Sequence, residues 1–483
     1  LASKKTLNAK NLEELGAVRL AQLLMEVSTG NAAAKRRLRL ELAGAQSPAE
    51  VAREIDKRLN TIRRSSSFVD WQKRKSLTDD LATQRHAIVE HVAQADPGEG
   101  LALMWRFLGL ANSVFDRCDD SSGTVSGIFH EAVEDLAAMA AQANIKSEAL
   151  ADTVYDALEQ NHYGQYDDLI SALASVLGEA GLKRLRKRIE ELAQKPIVKP
   201  ADGERVEIGW SSRGAIYQDE IEGRRRESTV RLALMEIADA MGDVEGFIAQ
   251  YDEQTRRAPR IAAEIADRLL AANRPLDALV ILDNSQQNNS AGSRYDWPDF
   301  RWIDSRIAVL EALGRGDEAQ QMRWSCFERS LSAEHLRAYL KRLPDFDDID
   351  AETRAFEHAE NYSSVLGALS FLVSWPALDR AANLVIKQFE KIDGDHYEIL
   401  SPAADALSAK YPLAASLVLR AMIDFTLIHA RSKRYKHAAR HFLECASLAR
   451  QIPDYGELES HADYETKLRN LHGRKSGFWS MVD

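Results

Sequence analysis

Apolar residues recur every three to four positions through most of this chain, the periodicity of amphipathic helices. Leu101, Met104, Trp105, Leu108 and Phe115 form one such stripe, and Val125, Ile128, Phe129, Ala132, Val133 and Leu136 form the next. The same pattern predicts earlier helices near 11–28, 32–43, 48–64 and 68–94, and later ones near 147–160, 165–178 and 179–194. Ser47 before Pro48 marks one start well. The hydroxyl accepts from an orphan backbone N–H, and proline brings a helical φ to the first position, where no N–H is needed.

The period breaks over 195–228, where two prolines, several glycines and the short β-prone runs Arg205 to Trp210 and Ala215 to Tyr217 predict a linker with a small hairpin. Beyond it a loose two-helix layout recurs. One helix ends at Ala272 and another runs through Asp277 and Ala278; the layout returns around Gly314-Arg315-Gly316. "VLGALSFLVSWPALDRAANLVI" and the stretch from "LVLRAMIDF" to "ECASLA" read as further pairs, with small Ala278, Ala319, Ala382 and Ala439 where paired helices would approach. Their spacing is uneven, so the expectation is a divergent tetratricopeptide-like solenoid, whose pairs bury their apolar faces by stacking on neighbours. The expected fold class is therefore all-α: a helical domain over 1–195, a linker with hairpin over 196–228, and a helical-repeat domain over 229–483.

Composition agrees with this picture. Among 483 residues, Pro is scarce at 12, Gly modest at 25, and 45% are hydrophobic, enough for a sizeable core. A net charge of -11 argues against a general nucleic-acid coat. No uncharged apolar run approaches the roughly 20 residues of a membrane span. The start, "LASKKTLNAKNLEEL", lacks an apolar signal core, so export is not expected. Leu1 ahead of Ala2-Ser3-Lys4-Lys5 reads as a TTG start codon translated literally, which N-terminal sequencing would settle. Cys118, Cys326 and Cys445 are odd in number and far apart, which excludes a disulfide framework or a four-cysteine zinc site and suits a reducing cytoplasm.

The run from Arg205 through Asp348 and the closing "ADYETKLRNLHGRKSGFW" are similar to a bacterial family of all-helical proteins of unknown function, over essentially the whole chain. More distantly, the "DDSSG" corner and "LRNLHGRKSGFW" resemble the helical region of bacterial SWIM zinc-finger proteins. The chain has no CxC…CxH motif, so the resemblance implies helical-repeat architecture and carries over neither a zinc finger nor a nucleic-acid role.

Chemistry is concentrated in few places. "FDRCDDSSGT" (115–124) crowds Asp116, Asp119 and Asp120 near Cys118, with His130 downstream. No register fits a calcium loop: counted from Asp120, Glu131 falls twelfth but Val125 occupies the glycine position. The run reads as a helix corner, ending near Asp119, turned by Gly123 and capped by Thr124 or Ser126. His437, His441 and Cys445 share one helix face, but the outer pair would lie roughly 12 Å apart at 1.5 Å rise per residue, too far to share one ion. A packing face is the expectation.

Six basic clusters recur, at 35–39, 63–75, 183–188, 224–226, 431–441 and 472–475. Trp71 with Arg74, and Tyr435, add aromatic and cationic groups able to meet bases or phosphates. There is no phosphate loop, nucleophile elbow or HExxH. Phe478, Trp479 and Met481 are costly to expose and are expected to dock on the protein itself. The reading is an interaction scaffold for protein or peptide partners in the cytoplasm, without assigned catalytic, metal or cofactor residues and without a membrane partner. Nucleic-acid or phosphate binding through basic helix faces is the first alternative, and an enzyme at the 116–124 corner the second.

Overall fold

The computed structural model describes residues 7–44, 46–196, 200–201, 203–212, 214–285 and 299–483. The stretch from Leu1 to Lys5 lies outside them. Contacts divide the chain into two compact units, Leu1–Asp252 and Glu253–Asp483.

In the first unit, α1 (Ala9–Glu13), α2 (Gly16–Ser28) and α3 (Ala32–Gly44) lead into α4 (Pro48–Arg64) and α5 (Trp71–Ala87). A π-helical turn, Ile88–Ala93, extends α5. Next come α6 (Pro97–Leu108), α7 (Ala111–Phe115), α8 (Thr124–Gln142), α9 (Ser147–Glu159) and the long α10 (Leu169–Gln194). Gly178 breaks α10 with φ 55 and ψ -173, at the position where the periodicity separates two helices. Ser47 caps α4 through Glu50 N, with Pro48 in the first turn, as the sequence predicts.

The hairpin is present, with β1 (Glu207–Ser211) antiparallel to β2 (Gly214–Tyr217) and an irregularity between Glu207 and Gly209. α11 (Gln218–Met241) follows and packs along α10, and α12 (Val244–Ile248) packs on α11. The hairpin of 196–228 thus lies inside the first unit. The boundary read from the sequence and the division by contacts differ by α11 and α12. The core joins Ile55, Leu81, Met104, Phe107, Phe129 and Leu173, the apolar stripes of successive helices.

The second unit begins with α13 (Glu253–Arg256), α14 (Pro259–Ala271), α15 (Pro275–Asp283), α16 (Phe300–Ala312), α17 (Gly316–Ser330) and α18 (Ala333–Leu340). It continues with α19 (Asp347–Glu360), α20 (Val365–Ser374), α21 (Leu378–Gln388), α22 (Tyr397–Ser408) and α23 (Pro412–Ile428). α24 (Tyr435–Ala449), α25 (His461–His472) and the short α26 (Ser476–Trp479) complete it. Each helix packs chiefly on its sequence neighbours, the nearest-neighbour logic of an α-solenoid. Alanines make this close packing possible. Ala278, Ala319, Ala382 and Ala439 are all buried at helix contacts, as are Ala403, Ala404, Ala414 and Ala415. A larger side chain at these points would hold the helix axes apart. Among the described residues no helix is long and apolar enough to cross a membrane.

Candidate functional site

The 115–124 run is a corner whose polar groups are engaged locally. α7 ends at Phe115 rather than near Asp119, and Gly123 turns the chain with φ 70. The cap on α8 is neither Thr124 nor Ser126 but Asp120, whose carboxylate accepts from Val125 N (2.9 Å), Ser126 N (2.8 Å) and Ser126 Oγ (2.8 Å). Burial acts to raise the Asp120 pKa, but these hydrogen bonds and nearby Arg74 win and hold it below the ordinary value.

Asp119 accepts from Ser121 N at 3.1 Å, and its backbone carbonyl receives Arg74 Nη1 at 3.1 Å. Asp116 accepts from the Tyr163 hydroxyl. Cys118 is buried, and burial followed by the Asp120 charge pushes its thiol up, away from nucleophilic character. His130 is exposed on α8, and Trp71 is 68% exposed at the start of α5.

On α24 the three metal candidates separate. His437 faces solvent, whereas His441 and Cys445 are buried. The Cys445 thiol donates to the Ser416 carbonyl at 3.7 Å, and burial takes its pKa up to about 11. Among the described residues no group of three or more His, Cys, Asp or Glu is placed to hold a metal ion.

The basic clusters divide between the units. In 183–188, Arg184 and Arg188 meet Asp152 at 2.8 and 3.0 Å, and Arg186 meets Asp243 at 2.8 Å, so that cluster is largely neutralised. Arg225 binds His162 Nδ1 at 2.6 Å. In the 431–441 cluster, Tyr435 packs edge-on against Phe478 at 6.3 Å. Tyr435 is therefore part of the packing there.

A cleft of about 660 Å³ lies elsewhere, in the second unit. It is walled by the 3-10 turn Phe389–Lys391 and the bend after it, by α23, by the loop 457–459 and by α25. Gly394 makes the wall possible. A Cβ there would sit 2.0 Å from the Ala421 carbonyl oxygen, so the bend can lie against the α23 backbone only without a side chain. Ile392, Leu417, Phe425 and Leu458 supply apolar surface.

Behind this surface sits a buried polar array. The Tyr464 hydroxyl of α25 donates to Asp424 Oδ1 at 2.8 Å. The Arg420 guanidinium lies 4.6 Å from the Tyr464 ring centroid and 5.8 Å from that of Tyr455, and its Nη1 donates to the Glu459 carbonyl at 2.9 Å. Among the described residues its Nε and Nη2 have no hydrogen-bond partner, a desolvation cost that the two aromatic faces offset in part. Burial raises the Asp424 pKa, opposed by the Tyr464 hydrogen bond and by Lys467 and Arg420. Tyr464 is raised well above its ordinary value, by burial first and the Asp424 charge second.

The rim is acidic. Glu390, Asp393, Glu457 and Glu459 are exposed, and Lys467 is committed to Glu459 at 3.0 Å. Among the described residues no Lys or Arg comes within 4.0 Å of the carboxylates of Glu390, Asp393 or Glu457. Such a site can hold a short segment with apolar and cationic side chains. None of these residues stands out by motif. One signal was legible: Arg420 and Asp424 interrupt the apolar run "LVLRAMIDFTLI" four positions apart, which places both charges on one face of a core helix.

Comparison with known proteins gives a family model, described as a family of unknown function (DUF6880), that matches residues 2–481. No curated protein matches the chain. Among solved structures, one similar chain is described as "Circular tandem repeat protein with novel repeat topology and enhanced subunit contact surfaces". It is 13% identical, with 95% of this chain and 94% of that one covered, and a TM-score of 0.14, at which the likeness supports no inference.

Proposed function

The chain belongs to a family of unknown function (DUF6880), and on that premise we propose that it is an intracellular interaction scaffold that takes a basic peptide segment of a protein partner in the α23–α25 cleft. The observation that carries the reading is the composition of that cleft: apolar side chains flanked by Glu390, Asp393 and Glu457, which among the described residues have no Lys or Arg within 4.0 Å, Asp393 having only His396 at 3.9 Å. Unpaired carboxylates beside apolar surface gain most from a ligand that brings cations and aliphatic stems together, as Lys and Arg do. A solenoid of stacked helices supplies the rigid frame. The Arg420–Tyr464–Asp424 array ties α25 to α23 at the wall of the cleft.

The compartment belongs to the same proposal. Three buried free cysteines are at home in a reducing environment. The resemblance of the DDSSG corner and the closing stretch to SWIM proteins of bacteria adds to the helical-repeat reading and brings no activity. The engaged carboxylates at 116–120 favour no enzymatic alternative.

Fluorescence anisotropy on the full chain tests the proposal, with labelled nine-residue peptides that are Lys/Arg-rich, neutral or Glu-rich. The basic peptide is expected to bind with a steep salt dependence, and the double variant Asp393→Lys with Glu457→Lys to weaken it by about tenfold or more, roughly 1.4 kcal/mol. Equal binding of all three peptides, or no change on charge reversal, would sink the assignment.

A further inference from the structure

A second cleft, of about 270 Å³, lies in the first unit among α3, α4 and α5, and the peptide reading makes no use of it. Arg36 and Arg39 come from α3, Lys57 and Arg58 from α4, and Gln84 from α5. Behind them stands Asp80 of α5, 7% exposed. Arg58 binds its Oδ2 through both Nε, at 2.9 Å, and Nη2. Arg36 Nη2 lies 3.5 Å from the same oxygen. One buried carboxylate therefore holds two guanidinium groups side by side, and their side chains remain 27% and 26% exposed.

Neutralising Asp80 explains one arginine, because a buried carboxylate needs one cation. It does not explain the second. Nor does it explain Arg39, which is exposed in the same cleft and, among the described residues, has no carboxylate within 4.0 Å. Lys57 is matched by Glu54 at 2.6 Å. The cleft thus keeps a surplus of positive charge, with Arg36 and Arg58 oriented by Asp80 and Arg39 exposed beside them. Gln84, 1% exposed, adds an unmet acceptor: among the described residues its Oε1 has no hydrogen-bond partner.

We propose that this cleft is a binding site for a single phosphoryl group, with Arg36, Arg39 and Arg58 as its donors and Asp80 as the positioning residue that holds two of them. Guanidinium forks match phosphate oxygens in geometry and charge. A hydrogen phosphate also carries an O–H for an acceptor such as Gln84 Oε1. The cleft is small, and the chain carries a net charge of -11, so a discrete phosphate suits it better than a long polyanion that needs an extended basic track. The ligand class is inorganic phosphate or a phosphomonoester.

The test is calorimetric titration of the full chain with inorganic phosphate and, separately, with phosphoserine, against sodium chloride at matched ionic strength. Saturable binding of either phosphate that chloride does not reproduce is the expected result; which of the two binds more tightly identifies the source. Arg39→Glu, at an exposed position, should weaken binding by about tenfold or more with an unchanged melting temperature. Arg36→Gln provides a second variant with the same expected direction. The proposal is overturned if neither phosphate binds saturably, or if both variants bind as the parent does. It is equally overturned if a single-stranded oligonucleotide binds where the small phosphates do not.

Discussion

His441 shows how burial outweighs a nearby partner. Its Nδ1 lies 4.0 Å from Glu444, too far for a hydrogen bond, and the side chain is only 8% exposed. Burial first, then the charges of Arg440 and His437, push its pKa from 6.5 down to about 4, with Asp405 opposing. The unfolded chain takes up this proton near 6.5 and the folded chain only near 4. The stability His441 contributes is therefore complete above 6.5 and lost as pH falls from there to 4, by at most about 3 kcal/mol. Asp424 and Glu444 are raised, by burial first, and act with the opposite sign: their contribution is present at low pH and lost as pH rises through their folded values. Urea midpoints between pH 7 and pH 4.5 should fall in the parent protein and fall less in His441→Leu. An identical slope in the two would remove His441 as the cause. The sequence placed His441 on a shared face with Cys445; that the face is buried depends on helices distant in the chain.

The corner before α8 carries a prediction about a single helix. Asp120 meets two backbone N–H groups of the first turn, whereas Asp119 meets only Ser121 N, outside the helix. Asp120→Ala is expected to cost roughly 1–2 kcal/mol in chemical denaturation. Asp119→Ala should stay within about 0.5 kcal/mol of the parent. Equal losses would mean that the cap has been assigned to the wrong carboxylate. Local rules were enough to foresee a turn at Gly123 and an acceptor near it. Which acceptor serves is set by the path of the preceding strand-like segment, where Val69 N donates to the Arg117 carbonyl at 2.7 Å and Val69 O accepts from Asp119 N at 3.3 Å. That bridge joins residues almost fifty positions apart, beyond the reach of any local pattern.

At the level of the folded unit, the aromatic tail is part of the core. Phe478 and Trp479 are 0% and 6% exposed, and both meet Phe442 edge-on, at 6.2 and 5.9 Å. Trp479 Nε1 donates to the His472 carbonyl at 3.0 Å, and Arg469 lies over its ring and pairs with Asp483. The tail seals the end of the stack where the last helix pair would otherwise expose an apolar face. Deletion of residues 473–483 should cost roughly 3–6 kcal/mol, the burial of two large aromatics, and lower the melting temperature by several degrees. An unchanged melt would instead mean that these side chains contribute nothing to the fold and serve another surface.

Many helix positions, the break at Gly178, the cap at Ser47, the hairpin and the close-packing alanines were readable from residue order, because each rests on interactions within a few positions or on a periodicity of 3.6; the splits between α1 and α2 and between α6 and α7 were not. The two clefts were not. Arg36 meets Asp80 across two helices, and Tyr464 meets Asp424 forty positions away. Gly394 is needed only because α23 happens to pass against it. Neutralised clusters such as 183–188 and surplus ones such as 35–39 look alike in one dimension. Charge becomes available to a ligand only where folding leaves it without a partner, and that depends on which helices pack side by side.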